Sequence, residues 1–338
     1  MKKFFFSILA VGALVACTKS EVKFEGESEI AFSPVTSVAT KANVMHAIDG
    51  TEYPVNETFR VWGYWRLLDA ATDHSAFNAA TEYIQGGKEF AKQTDGNLWR
   101  GTPNRYYWPK TGSIVFACLS PADAAVNNLS HDVVNDNFSF NYYSPNGYSK
   151  IDLSKTIDLM WTDATVSYNE TTAAAGVPVT FKHALTWITF KVQGDENTSD
   201  GGFVLNSITM NKVKGSGDFT SSDRKWVTGT TEFSVPVFEG AVNLTTEPVV
   251  TENVARGTLI IPQVTEDSSN YTATIKFTNT LGDVDLNEEI TIGLGPGWEI
   301  GKHYTYTLKF TTSEILIEPH MEDWVEVDAG HRFSNPCT

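Results

Sequence analysis

Tyr304-Thr305-Tyr306-Thr307-Leu308-Lys309-Phe310-Thr311 carries a large apolar side chain at every second position, with threonine or lysine between. Side chains of an extended chain point alternately to opposite faces, so Tyr304, Tyr306, Leu308 and Phe310 share one face, predicting a half-buried β-strand. Tyr271, Ala273, Ile275 and Phe277 repeat the device against Thr272, Thr274, Lys276 and Thr278. Phe59 to Trp65, Ile114 to Leu119, Phe203 to Met210, Thr258 to Ile261 and Ile315 to Ile317 are further predicted strands. Turn signals stand between the strands at Asp95-Gly96, Asn146-Gly147, Asp200-Gly201 and Gly295-Pro296-Gly297. No long amphipathic helical period interrupts them, so the reading is all-β, built as sandwiches.

One stretch breaks phase. Val177, Val179 and Phe181 share one parity and Ile188, Phe190 and Val192 the other, so a bulge or short helical turn is expected near Lys182-His183-Ala184-Leu185. The small, uncharged run Thr171 to Gly176 before it reads as a linker. It divides the body into an N-terminal sandwich over 29–175 and a C-terminal one over 176–338.

The N-terminus is of a different kind. Lys2 and Lys3 precede the apolar run Phe4 to Ala16, and Leu14-Val15-Ala16-Cys17 closes it. A run this short falls below the roughly 20 apolar residues of a membrane span and has the form of a cleaved secretory signal. Cys17 after a small residue marks a lipoprotein: residues 1–16 are the signal peptide, Cys17 the acylated first residue, and 17–28 a polar tether. Each buried methylene of such a lipid contributes about 0.8 kcal/mol of membrane binding. Removing the two signal lysines leaves 23 basic residues against 41 acids, a net charge near −18. Such a surface repels phosphates, which excludes nucleic acid as a partner.

Motifs for catalysis are missing. There is no His-Glu-x-x-His helix, phosphate-binding glycine loop, Gly-x-Ser-x-Gly elbow or paired-cysteine metal spacing, so neither an enzyme nor a cofactor is expected. The seven histidines are scattered. His320, Glu322, Asp323 and His331 form the nearest thing to a metal cluster and read as a solvated strand edge. His183, at the phase break, reads as a packing or hydrogen-bonding histidine. Cys118 lies in an apolar run and reads as a small buried hydrophobe; its pairing with Cys337 is left open. Among the aromatic clusters, Tyr142-Tyr143 in an Asn-rich segment is the least core-like. That pair is the candidate for stacking on a sugar ring, although core packing in an aromatic-rich sandwich is the leading reading for every such cluster.

Several segments, taken in order, resemble the fimbrillin family, lipoprotein-derived subunits of type V pili in Bacteroidetes. Besides the lipobox these are Glu29 to Val35 followed by Thr40-Lys41-Ala42, Phe59 to Trp65, Tyr107-Trp108-Pro109 with Ile114 to Ala117, and Asp158-Leu159-Met160-Trp161. Val179 to Leu185, Leu259 to Gln263, and Gly301 to Tyr306 with Asp323-Trp324 complete the set. The resemblance implies two tandem transthyretin-like β-sandwich domains and assembly by strand exchange. A first strand, here Ile30 to Val38 with Ile30, Phe32 and Val35 as its apolar residues, plugs a groove until a trypsin-like protease cuts behind it. Another subunit's strand then takes its place. Lys41 is the candidate processing site, although an arginine would match the family's preference better, and an ordinary loop lysine is the alternative. The partners implied are other fimbrial subunits, the outer membrane through lipid on Cys17, and an adhesion ligand at the cell surface. The subunit's place, tip or anchor rather than stalk, stays open, and a second reading is a non-polymerising surface lipoprotein that binds glycans through Tyr142 and Tyr143.

Overall fold

The structure is a computed structural model; the residues it describes are 28–33, 53–66, 81–94, 96–143, 157–162, 167–199, 202–251, 258–264, 271–280, 286–324 and 327–329. All regular structure among them is β.

The largest sheet contains β1 (Ala31–Ser33), β2 (Thr58–Arg66), β3 (Thr81–Lys92), β4 (Trp99–Gly101), β5 (Ser113–Ser120), β8 (Met160–Trp161), β9 (Ser167–Tyr168), β10 (Val177–His183) and β24 (Val327–Ala329). Its order is β1-β4-β3-β2-β5-β8-β10, and β1 also pairs with β10, so the path returns on itself and β1 is the closing strand. A second sheet, β14-β13-β7-β6, joins β6 (Val126–Asp132) and β7 (Asn137–Tyr143) to β13 (Ser216–Thr220) and β14 (Lys225–Thr228).

Two further sheets face each other. One holds β11 (Thr186–Gly194), β16 (Val249–Val250), β17 (Thr258–Ile260), β22 (Lys302–Phe310) and β23 (Ile315–Asp323). The other runs β15-β12-β19-β20, from β12 (Phe203–Lys214), β15 (Glu232–Asn243), β19 (Tyr271–Asn279) and β20 (Leu286–Gly295). A short pair, β18 (Gln263–Val264) and β21 (Gly297–Trp298), stands beside them.

Alternation explains how the cores fill. Ile188, Phe190 and Val192 of β11 with Tyr306, Leu308 and Phe310 of β22 meet Leu205, Ile208, Met210, Ala273 and Ile275 in a first core, as a two-sheet sandwich requires. Strand β5 is buried at every position because its faces serve different cores. Ile114, Phe116 and Cys118 point inside the ring with Phe59, Val61 and Phe181, while Val115, Ala117 and Leu119 face Phe138, Phe140, Phe219 and Trp226 on the second sheet. Cys118 has no exposure, and burial pushes its thiol pKa far above the usual range, which makes it unreactive.

Three expectations are corrected by the pairing. The phase break at Lys182 to Leu185 is neither a bulge nor a helical turn: the chain leaves the ring at His183 and enters another sheet at Thr186. Val177 and Phe181 then fill one core and Ile188 and Phe190 another, so no common parity is needed. Strand pairing also crosses the boundary expected at 175/176. β10 pairs with β1 and β8, and β13 with β7, because the apolar faces of the preceding strands are completed by residues from beyond the linker. Lastly, Tyr142 is no exposed platform. It sits in β7 opposite Gly217, is 2% exposed, and packs edge-on to Trp226 with ring centroids 6.2 Å apart, because the small Gly217 beside it admits the indole. The backbone of Tyr143 pairs with Ser216, and its side chain lies outside the described residues.

Candidate assembly groove

Strand β1 is short but bonded on both edges. It runs antiparallel to β4, with Phe32 opposite Trp99, and parallel to β10, with Phe32 opposite Val177 and Ser33 opposite Pro178. The residues before it continue the ladder: the Ile30 N–H donates to the Tyr106 carbonyl at 2.7 Å, and the Trp108 N–H to that of Ser28 at 3.0 Å. Removing this segment would leave facing rows of unpaired N–H and C=O groups, the condition that recruits another strand.

Its side chains are held as firmly as its backbone. Ile30 and Phe32 have no exposure. The Phe32 ring meets Phe59, Phe90 and Phe116 edge-on, with centroids 5.6, 5.1 and 5.1 Å away. Burying a side chain of this size contributes about 1.5–3 kcal/mol. At the rim, Glu29 Oε1 pairs with Arg105 Nη1 at 3.0 Å, while Arg100 Nε lies 3.2 Å from Oε2, near enough for charge attraction but off-line for a hydrogen bond. Partly exposed pairs of this kind contribute at most about 1 kcal/mol each and fix register more than they stabilise.

Gly176 sets the approach of β1 to β10. Its φ is +98°, and a Cβ there would stand 2.9 Å from Ser33 Cβ, 3.1 Å from Ser33 N and 3.0 Å from Leu98 Cδ2. Gly176→Ala is therefore expected to destabilise the fold by about 1–3 kcal/mol, from left-handed strain plus displacement of β1. Amide hydrogen exchange should show protection falling first at Ile30 to Ser33. Unchanged protection there would mean that β1 does not depend on this close contact.

Of the residues singled out from sequence, Ile30 and Phe32 are in the groove, whereas Val35, Lys41 and Cys17 lie outside the described residues. Arg60 is inside β2, its Nε donating to the Ala122 carbonyl. Sequence reading missed Tyr53 and Trp99, which line the groove floor. Tyr53 stacks on Phe181 at 5.0 Å and bonds to Ser120 Oγ at 2.8 Å, and burial raises its phenol pKa well above the ordinary value. Tyr53 has no strand pattern around it that would have announced this. The last described strand also reaches the groove wall: β24 pairs with β10 through Val179–Ala329, Thr180–Asp328 and Phe181–Val327.

Behind the groove, the crossover from β10 to β11 is held by buried polar contacts. His183 Nδ1 lies 3.0 Å from Asp158 Oδ1, both side chains fully buried, and its ring stacks on Trp324 at 3.6 Å. The Ala184 N–H donates to the Leu159 carbonyl at 2.7 Å, Trp226 Nε1 to the Ala184 carbonyl at 2.7 Å, and the Gly301 N–H to the Leu185 carbonyl at 3.0 Å. Backbone groups freed where the chain changes sheet are thereby satisfied. His183 is a positioning residue in this network. At the edge strand β23, Glu322 is engaged by His303 at 2.9 Å and Asp323 by Lys302, and His331 lies outside the described residues.

The described chain is thus a ring closed by its own first strand, with a sandwich built on the alternating stretch at 304–311. The family model described as fimbrillin-like matches residues 67–324. The chain belongs to the fimbrillin-like family. No curated protein matches its sequence. Among solved structures, the fold is similar to a fimbrial protein from Bacteroides vulgatus, with TM-score 0.66 at 16% identity over 88% of this chain and 99% of that one. It is also similar to a candidate cell adhesion protein from Bacteroides uniformis, with TM-score 0.56 at 12% identity over 89% and 100%. At such identities the likeness concerns the fold alone. Family membership gives this fimbrillin-like chain a fimbrial, cell-surface setting.

Proposed function

We propose that this fimbrillin-like protein is a structural subunit, tethered by lipid on Cys17 and assembled into a fimbrium by exchange of its first strand, serving adhesion. The observation that carries the reading is β1 itself, which closes the ring between β4 and β10 and buries Ile30 and Phe32. A strand that short, bonded on both edges, can be replaced by a segment of like pattern from another subunit at little net cost, because the incoming strand restores the same ladder and fills the same pocket. Cutting behind it, with Lys41 the candidate site, would make release irreversible. The chain is a building element rather than an enzyme, and its partners are other subunits and a surface ligand. The division into units that follows is at the β10–β11 crossover, Ala184-Leu185, with the β13–β14 hairpin lent back to the first unit.

Mild trypsin treatment of the purified lipid-free protein tests the proposal. The expected result is an N-terminus at Ala42, loss of 30–38 from the body, and polymers that survive heating in detergent. A cleaved body that remains monomeric, or a cell-surface pool retaining acylated Cys17 throughout, would refute strand exchange at this end.

A further inference from the structure

We propose that the cavity between Lys182, Arg224 and Lys302 binds an acidic sugar, through a carboxylate or sulfate group held by the three cations. This deepens the adhesion reading above, and rests on it for the biological setting only.

The cavity, of about 360 Å³, lies at the β10–β11 crossover, with Trp161 and Trp324 in its walls and Asp323 as the one lining carboxylate among the described residues. Among the described lining residues, three cations stand beside one acid in a chain whose net charge is −16. They converge from separate elements: Lys182 from β10, Arg224 from the turn between β13 and β14, and Lys302 from the start of β22. Lys302 is partnered by Asp323, whose side chain is 84% exposed and so can swing aside. Arg224 has no ion pair or side-chain hydrogen bond among the described residues. Its backbone is also in the left-handed region, φ 49°, where glycine or asparagine is the economical choice. An arginine kept in a left-handed turn beside a cavity, with no side-chain partner among the described residues, is a functional signal.

The walls strengthen that signal. Trp161 and Trp324 are 2% and 5% exposed and lower the local dielectric, which strengthens attraction to an anion. The Trp161 indole N–H is buried without an acceptor among the described residues. The volume is at the low end of the roughly 300–1,000 Å³ of small-molecule sites, sized for a single sugar residue. A peptide terminus is less well served on the β8 side, where the Lys182 backbone already pairs with Trp161.

Calorimetric titration of the purified body with N-acetylneuraminic acid, glucuronic acid and galactose 6-sulfate, beside neutral galactose and a tripeptide with a free C-terminus, tests the assignment. Binding of at least one acidic sugar, weakening with added salt, is expected, with galactose silent. Arg224→Gly suits the left-handed turn, so the fold should persist by thermal melt while affinity falls at least about tenfold, and adding Lys182→Gln should abolish binding. Equal binding of galactose, tighter binding of the tripeptide, no binding of any acidic sugar, or unchanged affinity in the folded double variant would each overturn the proposal. The double variant should polymerise normally after trypsin. Failure of the wild type to polymerise while it still binds acidic sugar would sink strand exchange and leave this site standing.

Discussion

Phe32→Ala is expected to lower unfolding stability by about 3–5 kcal/mol, the range for deleting a fully buried phenylalanine. Phe32 has no exposure and touches three phenylalanine rings edge-on, so truncation leaves a cavity bounded by β2, β3 and β5 as well as losing transfer energy. Because β1 closes the ring, the loss also loosens the ladders to β4 and β10. Denaturant unfolding followed by tryptophan fluorescence should show a lower midpoint with little change in slope for the unit that contains the ring. A synthetic peptide of residues 28–38, added in excess, should recover part of the stability by displacing the truncated strand from the groove. If truncation costs less than about 1 kcal/mol, the groove does not depend on its plug, and the replaceable-strand idea loses its energetic basis.

His183→Ala is the second large effect, again about 3–5 kcal/mol, by a different route. The substitution takes the imidazole away from a fully buried Asp158 carboxylate and removes the ring stacked on Trp324 at 3.6 Å. A buried polar group that loses a partner costs more than the pair contributes, so replacing both residues should do less harm than removing one. The double variant Asp158→Leu/His183→Phe, which keeps an aromatic ring against Trp324, is therefore expected to be more stable than His183→Ala alone. Strictly additive losses across the cycle would mean that the two side chains are not coupled.

Much of the architecture was readable from local pattern. Strands β19 and β22 follow from alternation at Tyr271 and Tyr304, and β5 from an apolar run, because strand periodicity is imprinted residue by residue. Ile30 and Phe32 were singled out through the family resemblance, and both are fully buried. Tyr142 kept two readings, sugar platform and core, because an aromatic pair beside asparagines looks the same in a loop and in an inward-facing strand. Its burial depends on Trp226, contributed by a hairpin that returns from the other side of the crossover.

By itself, then, the sequence determined that this chain is all-β, acidic, fimbrillin-like and built on period-two strands. Side-chain alternation, charge and ordered motifs are properties of neighbouring residues. Only the tertiary structure decided that β1 closes a ring, that β13 and β14 complete the sheet of β7, and that Asp158, His183 and Trp324 meet at one crossover. Those outcomes depend on which distant edge pairs with which. Every strand offers the same backbone donors and acceptors, so the choice falls to the fit of buried faces that meet only after folding.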